Sequence, residues 1–491
     1  MGEIEHFDVI IVGAGISGIG AAVHLRRQCP TRSMVIVEAR ATIGGTWDLF
    51  RYPGIRSDSD MYTLGYSFKP WTQAKAIADG PSILKYLDET VREEGIREMI
   101  RFDHRVTAAA WDSDNARWVV TMRHAGSEVR LSCNFLHMCS GYYDYDTGFT
   151  PEFAGRERFA GHIVHPQHWP DDLDYRGKRV VVIGSGATAM TLVPTLARDA
   201  RQVTMLQRSP TYVISRPAED HFANTLQRLL PPMLAYSIAR WRNALYHQLV
   251  FGLARTWPAA VRKYLLARVR EQLDPGYDVA THFAPHYNPW QQRLCLVPDG
   301  DLFAPIRSGR ANVVTDRIET FTETGIRLES GKELAADIIV TATGLKLLFL
   351  AGMAVTVDGR EVDFSRTFGY KGMMFSGVPN LSCVFGYTNS SWTLKADLEN
   401  DYLGRLLNHM HASGADIVTP VVADPEIKPE RWIDFSSGYF ERALGSFPKQ
   451  GSKEPWKLYQ NYFKDIVLFR FARLADDSLR FSKAGRAVGT G

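Results

Sequence analysis

The chain has 491 residues, 45% of them hydrophobic and 23% charged, the balance of a soluble globular protein too long for a single core. A net charge of only +3 excludes nucleic-acid binding by bulk charge, and no apolar run reaches the length of a membrane span. Five scattered cysteines (Cys29, Cys133, Cys139, Cys295, Cys383) form neither a disulfide framework nor a metal spacing, and the N-terminus lacks the pattern of a signal peptide, so a cytoplasmic setting is expected.

Residues 7–12 form a β-branched apolar run, a predicted strand. It runs into Gly13-Ala14-Gly15-Ile16-Ser17-Gly18, with a predicted helix over 19–27. This is GxGxxG in the strand–turn–helix context that gives the motif its meaning. Gly13 allows the tight turn, Gly15 lets backbone approach a pyrophosphate, and Gly18 packs helix on strand. The phosphates then sit at a helix N-terminus, where free N–H groups and the dipole favour anions. A second strand, 34–37, ends in Glu38, an acid placed to accept hydrogen bonds from adenosine ribose hydroxyls and to repel a 2′-phosphate. This unit therefore selects FAD or NAD. The following loop, 44–58, holds Thr46, Trp47 and Asp48 among paired glycines and Pro-Gly, a composition unlike that of a solvent linker.

The pattern then repeats. Strand 179–183 leads into Gly184-Ser185-Gly186-Ala187-Thr188-Ala189. The next strand, 203–206, is followed by Gln207-Arg208-Ser209 with no acid, so Arg208 and Ser209 offer a cation and a hydroxyl to a 2′-phosphate. That reads as NADPH; the alternative is a solvated turn arginine. Two dinucleotide sites in one chain suit hydride transfer from a nicotinamide to a flavin. Residues 135–141 and 337–344 are similar apolar strands ending in a small polar residue and glycine, read as the last strands before the chain changes domain.

From 221 to 275 the sequence turns helical and basic, with Arg228, Arg240, Arg242, Arg255, Arg262, Lys263, Arg268 and Arg270 facing only Glu271 and Asp274. Leu229, Met233, Tyr236 and Ala239 recur at helical spacing. The segment is a helical insertion whose basic side is either solvated or a peripheral membrane or partner face. The fold expected is α/β, with two Rossmann-like dinucleotide-binding domains and this insertion. The expected division is 1–144 and 345–491 for the FAD domain, 145–218 and 287–344 for the NADPH domain, and 219–286 for the insertion.

Between the glycine turns, residues 159–170 match FxGxxxHxxxWP, with Phe159, Gly161, His165 and Trp169 at fixed positions. In this context the chain resembles the type I Baeyer–Villiger monooxygenases. Residues 44–60, 287–303 and 372–397, the last containing Gly386-Tyr387-Thr388-Asn389, resemble mycobacterial members of that family. The resemblance implies tightly bound FAD, NADPH as reductant, and dioxygen converted to a flavin peroxide that turns ketones into esters or lactones and also oxygenates sulfides and thioamides. It implies an active-site arginine at Arg293 and a partner acid at Asp58. A permanent cation suits a developing peroxide anion in a desolvated site, and an acid would orient it. It further implies FAD contacts from Ser17, Glu38, Thr46, Trp47, Asp48 and the backbone of Val106, and NADPH contacts from Gly184, Ser185, Gly186, Ala187, Thr188, Arg208 and Ser209. His165 is expected to couple domains and Trp169 to anchor packing. Two departures stand out: Gln292 occupies a position where many members carry Lys, and Ser57 one where relatives often have Cys. The rivals are a flavin monooxygenase restricted to nitrogen and sulfur, a flavin-binding redox sensor, and a disulfide reductase, the last excluded by the cysteine spacing.

Overall fold

The computed structural model describes residues 4–292, 294–433 and 437–485. The first sheet begins with β1 (His6–Val12), whose Val9, Ile10 and Ile11 are wholly buried. Helix α1 (Ile16–Gln28) follows, then β2 (Met34–Val37), the short helices α2 (Thr46–Leu49) and α3 (Met61–Leu64), and α4 (Gly80–Glu93). Strands β3 (Ile100–Arg101), β4 (Arg105–Asp112), β5 (Arg117–His124) and β6 (Ser127–Met138) complete this run. β1 lies between β2 and β6 and is parallel to both, while β4, β5 and β6 form an antiparallel meander at one side. α1 starts at Ile16, three residues before the expected 19, because the glycine turn leads directly into helical backbone at its N-cap, Gly15.

The chain crosses through β7 (Tyr143–Gly148) to a second sheet built from β8 (His162–Val164), β9 (Arg179–Ile183) and, after helix α5 (Ala187–Leu196), β10 (Gln202–Gln207). β11 (Val213–Arg216) leads into α6 (His221–Leu229), α7 (Pro232–Thr256), α8 (Pro258–Arg270) and α9 (Val279–Phe283). β12 (Cys295–Pro298) pairs with β11; α10 (Phe303–Arg307) and β13 (Ala311–Thr315) follow. A meander of β14 (Ile318–Thr322), β15 (Gly325–Leu328) and β16 (Glu333–Ala335) leads to β17 (Ile338–Thr341). The second sheet has the order β13-β10-β9-β17-β8, parallel throughout. On its return the chain pairs Leu345–Leu347 antiparallel with β7, so the two crossings between sheets are bonded to each other. It then adds strand Leu381–Cys383 beside β6 and packs helix α11 (Trp392–Ser413) on α1.

The insertion departs from its sequence reading in two ways. The periodicity through Leu229, Met233, Tyr236 and Ala239 spans a break: Pro231 and Pro232 end one helix and open another, so Tyr236 and Ala239 are buried while Leu229 and Met233 are exposed. Arg240 is also no surface cation. Its buried guanidinium donates to the carbonyls of Tyr62 (3.0 Å) and Gly65 (2.7 Å) and to Asp397 (3.0 Å) on α11, fastening α7 to the first unit. A buried charge persists only with such partners.

Candidate functional site

Both glycine turns open into one cavity of about 1090 Å³. Gly13 has φ +104°, and a Cβ there would lie 2.7 Å from the carbonyl oxygen of Cys139; Gly184 has φ +136°, with the carbonyl oxygen of Ala342 at 2.2 Å. The two turns thus press against the small-residue ends of β6 and β17, the similar segments noted in the sequence. A Cβ on Gly18 would fall 1.8 Å from the carbonyl oxygen of Gly13, so the third glycine permits the helix to pack on the turn. A Cβ on Gly15 would lie 3.6 Å from the Gly45 Cα, and one on Gly186 would meet no atom within 4 Å. Neither N-cap, Gly15 or Gly186, carries a side-chain cap, so the first-turn N–H groups of α1 and α5 face the cavity as donors for anions.

Glu38 follows β2 and is 5% exposed. Its Oε2 accepts from the Ala14 N–H (2.6 Å) and its Oε1 from the Arg40 N–H (2.9 Å). Burial pushes its pKa up against the lowering pull of these donors. Each carboxylate oxygen can accept a second bond, so a ribose diol fits this acid. Thr46 meets the Tyr145 hydroxyl at 3.3 Å, and Trp47 and Val106 line the same wall. Asp48 takes a different part. It is outside the cavity lining and holds Arg40, Thr42 (2.8 Å) and Arg51 (3.0 Å), bracing the loop. Ser17 lines the cavity and accepts from the Trp392 indole N–H at 2.7 Å.

At the other end, Ser185 donates to the Ser209 carbonyl (3.0 Å), closing the second turn on the end of β10. Arg208 and Ser209 are exposed at the cavity rim, with Ala187 and Thr188 deeper and Arg317 nearby in the lining. Tyr52, from the aromatic loop, lines the cavity with Thr188 of the second unit. Asp58 is half-buried where this cavity meets a second one of about 1280 Å³; Ser59, Gln292, Thr388 and Ser390 border both. Tyr246, Phe251, Trp290 and Trp432 give the second cavity an aromatic lining. Arg293 lies outside the described residues.

The FxGxxxHxxxWP residues do not line either cavity. Phe159 is buried against Phe321, and a Cβ on Gly161 would lie 2.3 Å from the Asp337 carbonyl. Trp169 packs on the core of the second unit. His165 accepts the Gln167 N–H at Nδ1 (3.2 Å), which places its proton on Nε2, 3.2 Å from the Gly344 carbonyl. Burial keeps its pKa below the usual histidine value. Its ring lies against Gly148, where a Cβ would come within 2.0 Å, so His165 touches both crossings between sheets. Sequence reasoning missed Arg40, Tyr145, Trp392, Arg317 and Arg442 in the first cavity. Arg40 had a local signal, two residues after Glu38; Trp392 had none, because its partner is hundreds of residues away.

Among known families, residues 77–362 match the model described as flavin-binding monooxygenase-like, and residues 11–79 match an NAD(P)-binding Rossmann-like domain. The chain is 55% identical over 486 residues to the FAD-containing monooxygenase EthA of Mycobacterium tuberculosis, covering 99% of each. It is 49% identical over 482 residues to the probable FAD-binding monooxygenase AlmA of Acinetobacter baylyi, covering 98% of this chain and 97% of that one. Its fold matches an oxidized steroid monooxygenase bound to NADP with TM-score 0.77 and 25% identity, covering 97% of this chain and all of that one. The fold of OTEMO in complex with FAD and NADP matches at TM-score 0.74 and 20% identity. With more than half the chain inside the family model and a near-full-length relative at 55% identity, this protein belongs to the flavin-binding monooxygenase-like family.

Proposed function

We propose that the protein is an FAD- and NADPH-dependent monooxygenase of the Baeyer–Villiger type, converting ketones to esters or lactones and oxygenating sulfides or thioamides. The observation that carries the reading is the shared cavity: Glu38 stands by one glycine turn, Arg208 by the other, and Asp58 where that cavity meets an aromatic one. When bound, NADPH supplies the hydride and the flavin supplies the activation of dioxygen. The chain's residues do the rest. The α1 and α5 N-termini hold pyrophosphates, Glu38 holds the FAD ribose, and Arg208 with Ser209 holds the 2′-phosphate. Arg293 supplies a fixed positive charge at the oxygen-transfer centre, and Asp58 orients it. The second cavity takes the ketone or sulfide. The domain division read from the sequence belongs to the same proposal, with His165 coupling the halves.

The test combines purified protein, NADPH and a panel of ketones and sulfides, with NADPH oxidation and product mass followed together. Arg293→Ala should retain FAD and some flavin reduction, lose at least about a hundredfold in ester formation, and divert consumed NADPH to hydrogen peroxide. Asp58→Ala should show a milder form of this defect. Near-normal ester yield from Arg293→Ala overturns the arginine's role. Oxygenated sulfides with no ester from any ketone would leave the enzyme a nitrogen- and sulfur-oxygenating one.

A further inference from the structure

We infer that the α7–α8 face docks on an anionic lipid surface. The two sides of α7 differ. One buries Tyr236, Ala239, Arg240, Asn243 and Ala244. The other exposes Leu234, Ile238, Trp241, Leu245 and Leu249, spaced every three or four residues as one stripe, with Leu249 61% exposed. Single exposed apolar residues are ordinary, but contiguous patches mark interaction surfaces. Among the described residues, eleven of the fourteen exposed large apolar side chains lie between Phe222 and Tyr264. The stripe extends sideways: Trp241 packs at 6.0 Å on Tyr462, whose short helix leads on to exposed Val467 and Phe471.

Charge identifies the occupant. No Asp or Glu occurs from His221 to Arg270, against eight Lys and Arg. Arg240, Arg242 and Arg268 are engaged by Asp397, Asp220 and Glu271. Arg228 on α6 and Lys263 and Arg270 on α8, the helices before and after α7 in the chain, stand exposed. A second copy meeting this face across a two-fold axis would bring these cations together. Anionic headgroups instead give each cation a phosphate while the apolar stripe enters the acyl boundary, with Trp257 and Tyr264 as amphipathic anchors. α7 also forms part of the second cavity's wall through Asn243, Tyr246 and His247. On the function proposed above, a lipid-dissolved substrate would then meet that cavity at the membrane; the docking itself does not depend on that reading.

The test is sedimentation of the purified protein with phosphatidylcholine vesicles, with and without phosphatidylglycerol, at ~0.15 M and 1 M salt. The wild type should pellet with the anionic vesicles and be released by high salt. L245E/L249E should lower the partition coefficient at least about tenfold. K263E/R270E, which leaves the stripe intact, should remove the difference between the two vesicle types. Circular dichroism and thermal unfolding establish that both variants are folded. Absence of wild-type binding to either vesicle, or unchanged binding by both variants, overturns the inference. So does wild-type self-association in gel filtration that L245E/L249E abolishes while vesicles capture nothing; that result assigns the face to a second copy.

Discussion

Glu38→Gln tests the first nucleotide site at its most constrained atom. The carboxylate is nearly excluded from solvent and accepts two backbone N–H groups, from Ala14 at 2.6 Å and Arg40 at 2.9 Å. Glutamine keeps the shape but has one acceptor oxygen, so its amide N–H₂ must face one of those donors. One buried N–H then loses its partner, which costs about 1–3 kcal/mol of stability in the protein without cofactor. The charge-assisted bond to a ribose hydroxyl is weakened as well, a loss of about 1.5–3 kcal/mol, or roughly ten- to a hundredfold in FAD affinity. The assay is FAD titration of stripped protein, with thermal unfolding of the same samples and NADPH affinity as the control at the far end of the cavity. FAD affinity should fall and NADPH affinity should hold within about twofold. If the variant binds FAD within about twofold of wild type, Glu38 is a structural acid and the ribose assignment fails.

Arg208→Ala should raise the KM for NADPH roughly ten- to a hundredfold and leave NADH nearly unchanged; equal effects on both would show that this arginine does not hold the 2′-phosphate. His165→Ala should leave both cofactors bound but lower the share of NADPH electrons recovered in oxygenated product, since the ring rests on both crossings between sheets; an unchanged share removes the coupling role. His137 is buried, bonded to Ser382 (2.8 Å) and Asn400 (3.0 Å), and held by burial at a pKa of about 4. As pH falls from ~6.5, the unfolded chain takes up the proton first, so stability drops by about 3 kcal/mol down to ~4, below which both states are protonated and the slope ends. His137→Gln should lack this slope, and parallel stability curves for the two proteins between those pH values would refute the assignment.

Local pattern carried the sequence a long way. A strand that ends in GxGxxG must turn with positive φ and open a helix, and both turns do so at Gly13 and Gly184. In a parallel sheet the carboxyl ends of neighbouring strands share one edge, so an acid after β2 and an arginine after β10 fall beside their own glycine turns. The two residues from which the cofactor preference was read therefore lie close in sequence to their motifs and beside the turns that those motifs form. Tertiary structure decided what local pattern cannot carry. It brought Trp392 to Ser17, Arg240 to Asp397, and the His165 ring onto Gly148 and Gly344. It turned Asp48 away from the cavity toward Arg40 and Arg51. It also separated the insertion's cations into a buried anchor and a surface set. Periodicity and spacing describe the faces of a single element. Which face is buried, and which distant group meets a buried charge, depends on the packing of elements far apart in the chain.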